Sequence, residues 1–161
     1  EFRIPMVVMS PKSLLRHPHS SSSLKDISSS NFKRVLKHRN IKSPKKVIFG
    51  SGKIIVDLLN DEGFKNIDSG TEIISLEQLY PFPLQEITEI LKCTNLKEII
   101  WVQEEPRNRG AWKYFNENII EIHENKLKLK YVGRKPSATT ATGSSSVHKI
   151  QQKRIIDSIL K

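Results

Sequence analysis

Two apolar patterns alternate along the chain. Continuous runs such as "PMVVM" (5–9) and "KKVIFG" (45–50) have the composition of strands buried on both faces of a sheet. "TEIISLEQLYPF" (71–82) opens as a third strand, and "LKEIIWVQ" (96–103) is a fourth. "KLKLKYVG" (126–133) alternates apolar and polar positions, which predicts an edge or half-exposed strand. Between the runs the apolar spacing becomes three and four. "PKSLLRH" (11–17) reads as a short helical turn. "GKIIVDLLNDEG" (52–63) puts Ile54, Ile55, Leu58 and Leu59 at helical spacing, with Gly63 as its stop. Pro81 and Pro83 break the third strand into the helix "PLQEITEILKC", whose proline suits the first helical position. "GAWKYFNENIIEI" (110–122) carries Trp112, Phe115 and Ile119 on one stripe. "SVHKIQQKRIIDSILK" (146–161) turns the pairs Ile155/Ile159 and Ile156/Leu160 inward, with Ser146 as its cap, reached through Gly143. Strands alternating with helices predict an α/β fold. The expected form is a three-layer sandwich around a mainly parallel five-stranded sheet with room for one antiparallel edge strand.

A length of 161 residues predicts one domain, 1–161. Two stretches interrupt the alternation. "SSSSLKDISSS" (20–30) reads as a flexible serine-rich loop, and "PSATTATGSSS" (136–146) as a serine/threonine-rich linker before the final helix. No apolar run approaches the ~18 residues of a membrane helix, so no membrane partner is expected. The opening "EFRIPMVVMS" lacks the basic segment and cleavage site of a signal peptide, and the missing initial methionine points to a fragment. The single cysteine, Cys93, sits in an apolar helical pattern and reads as a buried structural thiol.

Charge is placed unevenly. Residues 1–53 hold 12 Lys/Arg and 2 Asp/Glu, whereas 54–161 hold 15 of each, so the whole net charge of +10 lies in the first third. Such a segment attracts nucleotide phosphates, nucleic acid or an acidic protein face, or is simply a solvated basic surface. Only Phe2, Phe32 and Phe49 interleave with those cations, which argues against nucleic acid.

Three strand ends carry polar groups: Met9–Ser10–Pro11–Lys12, Gly50–Ser51–Gly52–Lys53 and Gln103–Glu104–Glu105. Parallel sheets gather ligands at such ends. "GSGK" can present backbone N–H groups to an anion with Lys53 as counter-charge, but it has neither P-loop nor dinucleotide-binding spacing. Glu104 and Glu105 are neighbours on a strand and point to opposite sides, so they cannot act as one hydrolytic pair. Helix capping or an interface is the better reading for each. His17, His19, His38, His123 and His148 show no metal-ligand spacing, and no serine sits in a nucleophile elbow.

The ordered series "FRIPMVVMSPKSLLRHP", "FKRVL", "GSGKIIVDL", "ISLEQLYPFP", "WVQEEPRNRGAWKYF" and "YVGRKPSATTATGSSSVH" resembles the C-terminal domain of the thiamine-dependent first component of the 2-oxoglutarate dehydrogenase complex. The match runs essentially end to end. The resemblance implies a transketolase C-terminal-like fold. It implies a parent enzyme that decarboxylates 2-oxoglutarate on thiamine diphosphate with Mg²⁺ and passes succinyl to the lipoyl succinyltransferase component. Cofactor-binding and catalytic groups of that family lie upstream, so this chain is expected to hold no cofactor, no metal and no catalytic residue, and to be inactive alone. Expected partners are the upstream domains of the same polypeptide and a second copy across a homodimer. Some members also carry an allosteric site for AMP or acetyl-CoA, for which Ser10, Arg16, Lys53, Gln103 and Arg134 are the candidates here. Glu104, Glu105 and Trp112 are the candidates for interface or helix-capping roles. A free-standing module for such anionic cofactors is the alternative. The complex is cytoplasmic in bacteria and lies in the mitochondrial matrix in eukaryotes.

Overall fold

The computed structural model describes residues 3–29, 31–123 and 127–160, with only the backbone of His123. Glu1 and Phe2 of the opening run, Ser30 of the serine-rich stretch, Lys126 of the alternating run, Lys161 of the final helix and the side chain of His123 lie outside the described residues. Two units form, Glu1–Asn31 and Phe32–Lys161.

The first unit contains single 3-10 turns at Lys12–Leu14 and Pro18–Ser20, and helix α1, Leu24–Ser29. Residues 5–9 are not the strand their composition predicts. A strand exists only where a neighbour takes its N–H and C=O groups, and the sheet pairs residues 5–9 with no described strand. The serine-rich stretch is not all loop either. The Ser23 hydroxyl accepts from the Asp26 N–H at 3.1 Å and donates to the Asp26 carboxylate at 2.7 Å, a reciprocal cap that starts α1.

The second unit is an α/β sandwich. In chain order it comprises β1 (Val35–Lys37), β2 (Lys46–Gly50), α2 (Lys53–Asn60), β3 (Thr71–Leu76), α3 (Leu84–Leu91), β4 (Glu98–Pro106), α4 (Trp112–His123), β5 (Lys128–Arg134) and α5 (Ser145–Leu160). The sheet order is β1-β3-β2-β4-β5. Only β1 is antiparallel, at the edge beside β3; the other pairings are parallel. The sheet thus has the five strands expected, but β1 takes the place given to residues 5–9. Three residues, of which the last is exposed, give too little period-two signal to announce a strand.

Each face has its own core. Val47, Phe49, Ile74, Ile99 and Trp101 meet Ile87, Ile90 and Leu91 of α3 and Phe115 and Ile119 of α4. On the reverse, Ile48, Ile73, Ile100 and Val102 meet Ile54, Ile55 and Leu58 of α2 and Ile155, Ile156 and Ile159 of α5. Successive residues of β4 therefore feed opposite layers. Trp101 anchors its layer, with its ring centroid 4.3 Å from that of Phe115.

Several boundaries shift. Asn60 ends α2, and Gly63 lies in the following 3-10 turn, Glu62–Asn66, where its N–H donates to Asp61. Pro83 stands just outside α3 as its N-cap. Ser146 falls inside α5, which begins one residue earlier. At β2, the close approach of β4 and α2 demands glycine: a Cβ on Gly50 would stand 2.8 Å from Ile55 and 2.9 Å from Val102.

Candidate functional site

The corner that joins β4 to α4 is built around Gln103. Period two places its side chain in the layer of Trp101, where it is 2 % exposed. A buried amide must find partners, and this one finds them on both atoms. Oε1 accepts from the indole N–H of Trp101 at 2.8 Å and from the backbone N–H of Trp112 at 3.0 Å. Nε2 donates to the carbonyls of Arg109 at 2.8 Å, Pro106 at 3.2 Å and Glu105 at 3.3 Å. Gln103 thus caps α4 and ties the turn beneath it. Gly110 makes room for this arrangement. It adopts φ +66°, and a Cβ there would stand 2.9 Å from Gln103 Oε1. The cap of α4 is therefore Gln103 and not Glu104 or Glu105. Its amide has no free donor or acceptor left for a ligand.

Glu104 points to the other layer and enters a polar chain. Gln152 of α5, a buried residue, donates through Nε2 to Asp57 Oδ2 at 2.9 Å and to Glu104 Oε2 at 3.2 Å. Its Oε1 accepts from Arg134 Nη2 at 3.2 Å. Arg134 Nη2 also lies 3.0 Å from His148 Nδ1. Asp57 in turn pairs with Lys53 on its own helix. Lys53 is therefore matched by a carboxylate four residues on, instead of standing as a free counter-charge at the "GSGK" turn. The Ser51 hydroxyl of that turn donates to the Leu76 carbonyl at 2.9 Å.

Of the predicted site residues, Lys53, Glu104 and Arg134 converge through Asp57 and Gln152. Gln103 lies across the sheet from them. Ser10 and Arg16 belong to the first unit. Glu105 is exposed, with its carbonyl receiving the Tyr131 hydroxyl at 3.2 Å. Trp112 packs its ring at a tilt against that of Tyr131, with centroids 5.2 Å apart. Gln152 had a readable signal that sequence reasoning passed over: it stands three, four and seven residues before Ile155, Ile156 and Ile159, on their stripe. Glu72 had none. It is 1 % exposed, and its carboxylate accepts from the backbone N–H groups of Arg39, Ile41 and Ile73 at 2.9, 2.6 and 2.9 Å.

The serine/threonine stretch after β5 is held against the same corner. Asn108 donates through Nδ2 to the Ser137 carbonyl and accepts the Ser137 N–H through Oδ1, both at 3.0 Å. Arg109 donates to the Ala138 carbonyl at 2.9 Å. The Tyr131 hydroxyl donates to the Arg134 carbonyl at 3.0 Å, and burial pushes this phenol up to about 12. Among the described residues no three His, Cys, Asp or Glu side chains gather as metal ligands, and no helix is long and apolar enough to cross a membrane.

The chain is similar to known proteins along nearly its whole length. The family model described as 2-oxoglutarate dehydrogenase C-terminal matches residues 21–160. The chain is 39% identical over 164 residues to the 2-oxoglutarate dehydrogenase E1 component of Bacillus pumilus (strain SAFR-032), covering 97% of this chain and 17% of that protein. The corresponding protein of Bacillus subtilis (strain 168) is 38% identical, with the same coverage. That of Azotobacter vinelandii is 40% identical, covering 96% of this chain and 17% of its own length. The chain thus spans 17% of the length of these curated relatives.

Proposed function

This chain belongs to the 2-oxoglutarate dehydrogenase C-terminal family, and from that premise we propose that it is the non-catalytic assembly and regulatory domain of an E1 component. The parent enzyme would decarboxylate 2-oxoglutarate on thiamine diphosphate and transfer succinyl to the lipoyl arm of its partner in the citric acid cycle. The observation that carries the reading is coverage: nearly all of this chain aligns, yet it accounts for 17% of each relative. The chemistry of the strand ends supports it. Gln103, Ser51 and Glu104 bond to groups of their own domain and hold elements together, and Lys53 is paired within α2. In this reading thiamine diphosphate and Mg²⁺ would be held by upstream domains of the parent. Glu105, which is exposed and whose carboxylate has no hydrogen bond or ion pair among the described residues, is the residue offered to a neighbouring domain or to the second copy of a homodimer. The bacterial relatives support a cytoplasmic setting.

Turnover of 2-oxoglutarate is the direct test. The chain alone, supplied with thiamine diphosphate and Mg²⁺, should release no CO₂ above buffer; measurable turnover overturns the assignment. In the full-length parent, Glu105→Arg should lower the dimer fraction in sedimentation before it alters chemistry. A regulatory role through AMP or acetyl-CoA is the second reading, favoured by the +10 of residues 1–53. Calorimetric titration with each compound tests it, and an absence of saturable heat removes it.

A further inference from the structure

A cavity of about 520 Å³ opens between the C-terminal end of β5, residues 135–142 and the outer turns of α5. That volume is in the range of small-molecule sites. Three cations line it, Arg134, Lys135 and Arg154, and no carboxylate does. The nearest acid along α5, Asp157, pairs with Lys153. Neither Lys135 nor Arg154 has a carboxylate partner among the described residues. Three like charges around one concavity repel one another unless an anion joins them.

The remaining lining narrows the ligand. Ser137, Thr139, Thr140, Thr142 and Ser158 bring five hydroxyl groups, and Gln151 an amide. No aromatic side chain is present to stack a nucleobase. Orphan atoms collect here as well. Of the five buried side-chain polar atoms without a hydrogen-bond partner among the described residues, three belong to this lining: Arg134 Nε, Thr142 Oγ1 and Gln151 Oε1. Leaving buried donors and acceptors unmade is costly, and such groups ask for an explanation. The wall is also fixed in place, since Asn108 and Arg109 hold Ser137 and Ala138 by their backbones.

We propose that this cavity binds a phosphorylated polyol of the sugar-phosphate class. Lys135, Arg154 and Arg134 take the phosphate oxygens, and the ring of hydroxyls takes the polyol. Arginine's planar fork suits a phosphate with several terminal oxygens, and hydroxyl groups act as both donor and acceptor toward a polyol. The site shares Arg134 with the effector reading, but neither Lys53 nor Gln103 lines it.

Isothermal titration of the protein with ribose 5-phosphate tests this at 150 mM salt. One saturable site is expected, with inorganic phosphate at least tenfold weaker and AMP no tighter than the sugar phosphate. Lys135→Gln and Arg154→Gln, both exposed positions whose replacement leaves the fold intact, should each weaken binding about tenfold, the loss of one charge-assisted contact. Lys113→Gln, on the opposite layer, should leave it unchanged. Circular dichroism on each variant separates lost binding from lost folding. Absence of saturable heat overturns the proposal, as does equal affinity in both cavity variants. AMP binding more than tenfold tighter than ribose 5-phosphate overturns it too, and would transfer the cavity to the effector reading.

Discussion

Replacing Gln103 by methionine keeps volume and removes every hydrogen bond of the amide. The indole N–H of Trp101, a residue only 1 % exposed, would lose its acceptor in a place water does not reach. A buried donor left unmade costs ~1–3 kcal/mol. The N–H of Trp112 would lose its cap, worth ~0.5–2 kcal/mol at a helix start. The three carbonyls released are nearer solvent: Arg109 and Glu105 are exposed, and only Pro106 is buried. They add ~1 kcal/mol together, since water replaces most of what they lose. The sum is ~2.5–6 kcal/mol, a large share of the ~5–15 kcal/mol that holds a domain folded. Urea unfolding followed by tryptophan fluorescence measures it directly, and the midpoint should fall with little change in slope. A loss below ~1 kcal/mol would show that the amide is not the linchpin of the corner. If effector binding vanished at the same time, the reading of Gln103 as a ligand residue would be restored.

Three further outcomes are expected. Glu72→Ala strips the acceptor from three backbone N–H groups and should cost ~2–4 kcal/mol in the same urea assay, with loss of amide exchange protection at Arg39 and Ile41. Gly110→Ala meets a left-handed backbone penalty of ~1–2 kcal/mol and also pushes on the Gln103 amide, whereas Gly143→Ala, with open space around it and no such φ, should be neutral. Tyr131 favours its neutral form in the fold, because burial raises its phenol from near 10 to about 12. Its contribution is therefore complete below the ordinary value and is lost as pH rises from there through about 12. Tyr131→Phe should flatten the decline of melting temperature across that alkaline window, and an unchanged decline would remove Tyr131 as its cause.

What could be read in advance follows from what leaves a period in the chain. β2 to β4 are buried on both faces and leave continuous apolar runs, β5 leaves an alternation, and α2 to α5 each pack one face, which imposes helical spacing. β1 is a short edge strand and leaves almost no pattern. Residues 5–9 show the converse, since apolar composition describes a tendency and cannot supply a neighbouring strand. At the site, strand alternation puts Glu104 in the layer of Gln152 and Gln103 beside Trp101. It could not say that the amide would close on the start of α4, because that depends on the turn at Arg109 and Gly110 and not on any local pattern. The chain from Lys53 to Arg134 was hidden for a related reason. Its links join residues as far apart as Asp57 and Gln152, which only the packing of α5 brings together.

The grip of Asn108 on Ser137 falls wholly on main-chain atoms at the Ser137 end. Together with the Arg109 bond to Ala138, this gives the start of the stretch 137–142 a fixed route without a fixed text. Apart from the Ser137 hydroxyl, which accepts the Thr139 N–H at 3.2 Å, side chains here can be exchanged without loosening that hold, at the expense of the ligand proposed for the cavity, so the stretch suits randomised libraries. Asn108 permits no such freedom: neither Asp, which lacks the donor, nor Leu, which lacks both groups, can reproduce its two-way bond. A deep substitution scan should therefore find one intolerant position on the β4–α4 corner governing a tolerant stretch some thirty residues further on.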